Sequence, residues 1–145
     1  MPHFLARRRV EFCDTDMAGI VHFANFFKYM EQAEHDFFRS LDLKIAGRLP
    51  DGTEYGWPRV SATCSFESPA RYDDVIEIHV TIARRAGRSL ATTYEFHCDG
   101  KRLARGEMKT VFCIFPNGGP MKSAAIPDDI AAKLDQAAAK SDDSP

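Results

Sequence analysis

The sequence predicts an α+β protein in which an antiparallel sheet wraps around one long helix. Three observations carry this. Over residues 23–41 the apolar side chains fall at Phe23, Phe26, Phe27, Met30, Ala33, Phe37, Phe38 and Leu41. Those spacings of three and four make one continuous helical stripe. Five other segments alternate apolar and polar residues with the period of a strand. Short turn signals separate the last four, which makes them antiparallel hairpins. A helix with so wide a stripe has to bury it, and a sheet curled around it does so with helices segregated to one face.

The elements follow in order. Residues 4–12 form a strand, with Phe4, Ala6, Val10 and Phe12 on one parity, Arg8 the exception, and Leu5, Arg7, Arg9 and Glu11 on the other. Residues 13–21 are a turn-rich connection. The helix starts between His22 and Asn25, with Asn25 as N-cap. Glu31, Gln32, Glu34, His35 and Asp36 cover its polar side. Gly47, Pro50, Gly52, Gly56 and Pro58 make residues 43–58 a long loop. Val60, Ala62, Cys64 and Phe66 share a face of the next strand. Ile76, Ile78, Val80 and Ile82 share another, opposite Glu77, His79 and Thr81. Leu90, Thr92, Tyr94, Phe96 and Cys98 share a third. The last strand runs from Ala104 to Phe115, with Met108, Phe112 and Ile114 on one parity. Pro69 with Tyr72-Asp73-Asp74, Ala86-Gly87 and Asp99-Gly100 supply the turns. Pro127-Asp128-Asp129 opens a short Ala-rich helix to about residue 139, and residues 140–145 form a frayed tail.

Composition narrows the function. The chain has 145 residues, the size of one domain, spanning 1–145. A net charge of −2 gives no reason to expect a nucleic-acid partner. No stretch approaches the roughly 20 apolar residues of a membrane span, and the N-terminus lacks a secretory signal. The four cysteines (13, 64, 98 and 113) include no CxxC pair. That argues against zinc and against a disulfide framework, and points to reduced thiols in a cytoplasmic protein. No His/Cys/Asp cluster has metal-ligand spacing, so no metal or other cofactor is expected.

The densest chemistry lies in Asp14-Thr15-Asp16-Met17-Ala18-Gly19-Ile20-Val21-His22-Phe23-Ala24-Asn25. Two carboxylates precede a glycine and a helix start. Unpaired N–H groups at a helix start carry partial positive charge and suit a developing oxyanion. A carboxylate just upstream can act on the same carbonyl as nucleophile or as base for water. The same two aspartates can instead satisfy loop amides and cap the helix. No Ser-His-Asp order and no Cys–His pairing competes.

The segment Cys13–Glu31 resembles the signature of the 4-hydroxybenzoyl-CoA thioesterase-like hotdog proteins, in which an Asp-x-Asp-x-x-Gly-x-Val run leads into a central helix. The likeness continues through Gly56-Trp57-Pro58-Arg59-Val60-Ser61 and Ser68-Pro69-Ala70-Arg71-Tyr72-Asp73-Asp74-Val75, and covers roughly residues 4–116. It implies a hotdog fold of five to six antiparallel strands. It makes Asp16 the catalytic carboxylate, the Phe23 backbone N–H the group that polarises the thioester carbonyl, and Gly19 the glycine that turns the chain against substrate. Asp14 is then a structural hydrogen-bonding residue. His22 departs from the benzoyl-specific pattern; it orients water or the acyl group, or caps the helix. Arg88 and Ser89 match a region that holds the CoA phosphates, and Glu31 reaches a substrate polar group or is a plain surface charge.

The function the resemblance implies is an acyl-CoA thioesterase, a hydrolase that yields a free acid and CoA. Its partners are the acyl-CoA and further copies of itself, with no nucleic acid and no membrane. A homodimer is the minimum and a homotetramer, a dimer of dimers, the fuller form, with Val60 and Ser61 of a second subunit closing the pocket. Two alternatives stand beside it: a non-catalytic acyl-thioester-binding subunit, and a hotdog hydratase that uses Asp16 and His22.

Overall fold

The computed structural model describes residues 1–142. Strand β1 (Phe4–Arg9) is followed by a 3-10 turn (Phe12–Asp14) and helix α1 (Phe23–Ser40). Two short strands come next, β2 (Ala46–Arg48) and β3 (Glu54–Gly56). Then come β4 (Arg59–Phe66), β5 (Val75–Arg85), β6 (Ser89–Cys98), β7 (Lys101–Val111), β8 (Cys113–Phe115) and β9 (Lys122–Ser123). Helix α2 (Asp128–Asp142) ends the described chain. The large sheet has the order β1-β5-β6-β7-β4, and β2-β3-β8-β9 form a second, smaller sheet. Neighbours in both are antiparallel.

The large sheet curls around α1, as its stripe demands. Phe26, Met30, Ala33 and Phe37 pack on Ala6, Ile76, Ile78, Val80, Tyr94, Phe96 and Met108 in one core. Helix and sheet approach so closely at Gly106 that an added Cβ would lie 2.3 Å from Met30 Sδ and 3.0 Å from Thr63 O. A second core under α2 joins Phe38, Trp57, Leu90, Phe112, Ile130 and Leu134. Arg8, the exception in the β1 pattern, reaches α1: Nη2 donates to Asp36 Oδ2 at 2.7 Å and Nε to Gln32 Oε1 at 2.9 Å.

Several expectations are corrected. The N-cap is His22, and Asn25 lies inside the first turn. The imidazole supplies the acceptor there, while the Asn25 amide is engaged elsewhere. Residues 43–58 are not all loop, because β2 and β3 lie within them. Each is only three residues long and carries a glycine, so neither shows alternation. The last predicted strand breaks at Phe112, whose N–H donates to Arg88 O at 2.8 Å, and its end joins the smaller sheet as β8. Phe12 is 78% exposed because the 3-10 turn rotates it out of the strand's parity. The β4 pattern is also not a buried face: only Cys64 is partly covered, since β4 is an edge strand. The second helix continues to Asp142, past the predicted end, and residues 143–145 of the predicted tail lie outside the described residues.

Glu34 is the largest departure. It was expected on the polar side of α1 and is 4% exposed. The sheet wraps far enough to cover it and Tyr29 as well. Arg59 Nη2 donates to its Oε1 at 2.7 Å. Burial raises the carboxyl to about 7, with Arg59 opposing the rise. The folded chain therefore holds this proton more tightly than the unfolded chain, whose carboxyl titrates at 4.5. Stability from this group is full below that lower value and is lost as pH rises through about 7. Glu34→Gln should therefore flatten the fall in stability across that window, by on the order of 3 kcal/mol. Denaturant melts at a series of pH values check this, and parallel curves for the two proteins would refute it.

Candidate active site

A closed loop carries Asp16. Thr15 and Val21 form a bridge at its neck. Inside, Asp16 N–H donates to Ile20 O at 2.8 Å and Gly19 N–H to Asp16 O at 2.9 Å. Gly19 has φ +79°, a left-handed conformation that glycine adopts without strain. The carboxylate is held at one end: Oδ1 accepts from Ala18 N–H at 2.9 Å. Oδ2 has no partner among the described residues.

Asp14 ties this loop to α1. Its carbonyl accepts from His22 N–H at 2.9 Å and from Asn25 Nδ2 at 2.7 Å. Its Oδ2 accepts from Glu11 N–H and from the Tyr29 hydroxyl, both at 2.9 Å. Burial and the adjacent carboxylate push the Tyr29 phenol well above its ordinary range, so it remains a donor. The expected structural role of Asp14 has this network as its basis.

His22 Nδ1 accepts from Ala24 N–H at 3.1 Å, and the exposed ring stacks on Phe23 with centroids 4.6 Å apart. That bond places the proton of the neutral ring on Nε2. Asn25 N–H donates to His22 O at 2.9 Å. The Phe23 N–H, first in the helix, has no partner among the described residues. It is the free donor at the positive end of the helix. If His22 is a cap, His22→Asn should keep activity within about threefold, while His22→Ala should cost about 1 kcal/mol of stability. Thermal melts and rates on both variants check this, and an inactive, folded His22→Asn would assign the ring to the chemistry.

Asp16 and Phe23 open onto one cavity of about 460 Å³. Ile20, Val21, Phe26 and Phe66 form its apolar walls, and residues 67–69 its far side. Phe66 meets Phe26 edge-on at 5.4 Å and Phe23 at 6.5 Å. A larger cavity of about 620 Å³ lies between the end of α1 and α2, lined by His3, Ser40, Lys133 and Gln136 among others. No residue of the aspartate loop reaches it, so chemistry rather than size selects the smaller one.

Other expected site residues lie apart from this cavity. Val60 and Ser61 are exposed on β4 and do not line it. Glu31 is an exposed partner of Arg59 at 3.5 Å. Arg88 is engaged with the smaller sheet, its Nη1 donating to Ser123 Oγ at 3.1 Å. Ser89 lines a separate cavity of about 310 Å³ with Arg84 and Lys109. Arg84 lies opposite Ala91, and Ala91 opposite Lys109, so the two cations flank a small residue. Neither makes an ion pair among the described residues. Phe66 and Lys109 had no distinguishing signal in the sequence: their partners lie on other strands, and cross-strand register is not written in one strand's pattern.

The aspartate loop, the free helix amide and the sheet curled around one helix define a class: a thioester hydrolase of the α+β hotdog fold. The chain belongs to the thioesterase-like superfamily, whose family model matches residues 10–134. It is 32% identical over 131 residues to a putative esterase of Aquifex aeolicus, covering 90% of this chain and 97% of that one. It is 27% identical over 128 residues to the acyl-CoA thioester hydrolase YbgC of Escherichia coli, covering 88% and 92%. The crystal structure of Slr0204, a 1,4-dihydroxy-2-naphthoyl-CoA thioesterase from Synechocystis, superposes with a TM-score of 0.79 at 25% identity, covering 90% and 94%. Among the described residues, no helix is long and apolar enough to cross a membrane.

Proposed function

We propose that this chain hydrolyses acyl-CoA thioesters, with Asp16 as the carboxylate that acts on the carbonyl. One observation carries the reading: Asp16 and Phe23, whose N–H has no partner among the described residues, line the same cavity. The acyl group lies among Phe23, Phe26 and Phe66. The carbonyl oxygen takes the Phe23 N–H, where the helix dipole stabilises the charge that develops. Asp16 Oδ2 attacks the carbonyl carbon or removes a proton from water that does. The C–S bond breaks, water supplies hydroxyl to the acyl group and its proton to the sulfur, and acid and CoA leave. Gly19 sets the loop rather than touching substrate.

For the nucleotide end, Arg84 and Lys109 with Ser89 are better placed than Arg88 to receive phosphate, since neither cation makes an ion pair among the described residues and Arg88 is engaged, although Glu107 lines the same cavity. The edge of the large sheet supports a homodimer. Seven of the eight residues of β4 are exposed, and no Lys or Pro interrupts the strand. Such an edge is a template for pairing with another chain. A second copy paired there in antiparallel fashion brings its Val60 and Ser61 towards Phe66 at the strand's other end. The dimer of dimers rests on the resemblance alone. The four cysteines are free, which suits the cytoplasm.

The test is thiol release from a panel of acyl-CoAs, with wild type beside Asp16→Asn. Hydrolysis of at least one member that depends on Asp16 supports the reading. Binding without cleavage would make the chain an acyl-thioester-binding subunit, and hydration of an enoyl-CoA would make it a hydratase.

A further inference from the structure

We propose that Arg59 and the buried Glu34 form a clamp that fixes the bulged start of β4 and so positions Val60 to line the acyl pocket of a neighbouring copy. This rests on the reading above, in which β4 completes the site across a dimer. The register between β4 and β7 shifts between Arg59 and Ser61: Arg59 lies opposite Thr110 and Ser61 opposite Lys109, so Val60 is the extra residue. Its side chain stands 58% exposed. Bulges re-aim a side chain at the cost of ladder bonds, and they recur beside active sites. Backbone pairing flanks this one, with Val111 N–H donating to Pro58 O at 3.0 Å and Ser61 opposite Lys109, but it ties the bulge only to β7 and not to the helix.

The Arg59 guanidinium is placed to tie it to the helix. It crosses from the edge strand to the helix, where Nη2 donates to Glu34 Oε1 at 2.7 Å and Nη1 lies 3.5 Å from Glu31 Oε2. Its Nε donates to Met108 Sδ at 3.3 Å on β7. One side chain is thus held by α1 and by the strand next to its own. The groups around Glu34 are Arg59 from β4, Glu31 and His35 from α1, and Tyr94 from β6. His35 Nε2 is 3.8 Å away, and the Tyr94 hydroxyl is buried. Among the described residues Arg59 is therefore the nearest cation, and it hydrogen-bonds this acid. A buried ion pair is poor evidence for stability, because apolar replacements of similar volume often serve as well or better. What the pair supplies that apolar residues would not is a directed link between the helix and one point on the edge strand.

The experiment is steady-state kinetics on Arg59→Met, Arg59→Lys, Glu34→Met and Val60→Ala, with Asp16→Asn as control and dimer content measured throughout. Arg59→Met, Glu34→Met and Val60→Ala should each raise KM roughly tenfold, the effect of losing one apolar contact in a pocket, with kcat within about threefold. Arg59→Lys should recover part of the loss. Arg59→Met with Val60→Ala should raise KM no more than the larger single change, because both act through the same side chain. A loss of folded protein lowers the apparent kcat without moving KM, so it does not imitate this result. An unchanged KM in Val60→Ala, whose exposed site leaves the fold intact, overturns the proposal even if a clamp variant does not fold. So does full additivity in the double variant. Wild-type activity that is absent, or indifferent to Asp16→Asn, refutes the function itself, and the clamp falls with it.

Discussion

Asp16→Asn is expected to lower kcat/KM by at least about a hundredfold while leaving KM and the melting temperature close to wild type. The side chain is isosteric. Its oxygen can still accept the Ala18 N–H that orients Asp16, so the loop between the Thr15 and Val21 bridge should keep its shape. What disappears is the charge and basicity at Oδ2, the end with no partner among the described residues. The Phe23 amide is untouched, so residual turnover would report how much the helix terminus contributes without the carboxylate. Thiol release in single-turnover and steady-state modes measures this. A rate within threefold of wild type would falsify the assignment and direct attention to His22, then Glu31.

Asp14→Ala should be the more damaging change to the fold, costing roughly 2–4 kcal/mol. The Asp14 carboxylate accepts from Glu11 N–H and from the Tyr29 hydroxyl. Tyr29 is 4% exposed, so its hydroxyl would be left without a partner inside the core. The melting temperature should fall by roughly 5–15 °C. Tyr29→Phe alone should cost about 1 kcal/mol, and adding it to Asp14→Ala should cost little more, because one removed donor no longer seeks an acceptor. Activity should fall along with stability, since the same carboxylate anchors the turn just ahead of Asp16. Equal melting temperatures for wild type and Asp14→Ala would show that the loop is held by its backbone bonds alone.

Glu34 shows how far a periodic pattern can be read. The apolar positions of α1 were legible and are buried at Phe26, Met30, Ala33, Phe37 and Phe38. Glu34 and Tyr29 were not, because the stripe's width depends on how far the sheet curls, and Glu34 is paired there with Arg59, 25 residues away. His22 shows the same limit at the helix start. Its position next to the stripe was plain, yet its role depends on which ring nitrogen meets which amide.

The sequence by itself determined the class of fold, the order of the five long strands and the long helix, and the loop that bears Asp14, Asp16 and Gly19. Those follow from local rules: hydrophobic period, turn chemistry, and a carboxylate a few residues before a helix start. Only the tertiary structure decided which face of β4 is covered, that residues 46–48 and 54–56 pair with β8 in a second sheet, and that Arg84 and Lys109 flank one cavity while Arg88 faces Ser123. Each of these depends on register between strands far apart in the chain. A shift of one residue exchanges the two faces of a strand, and no single strand's pattern records which partner it will meet.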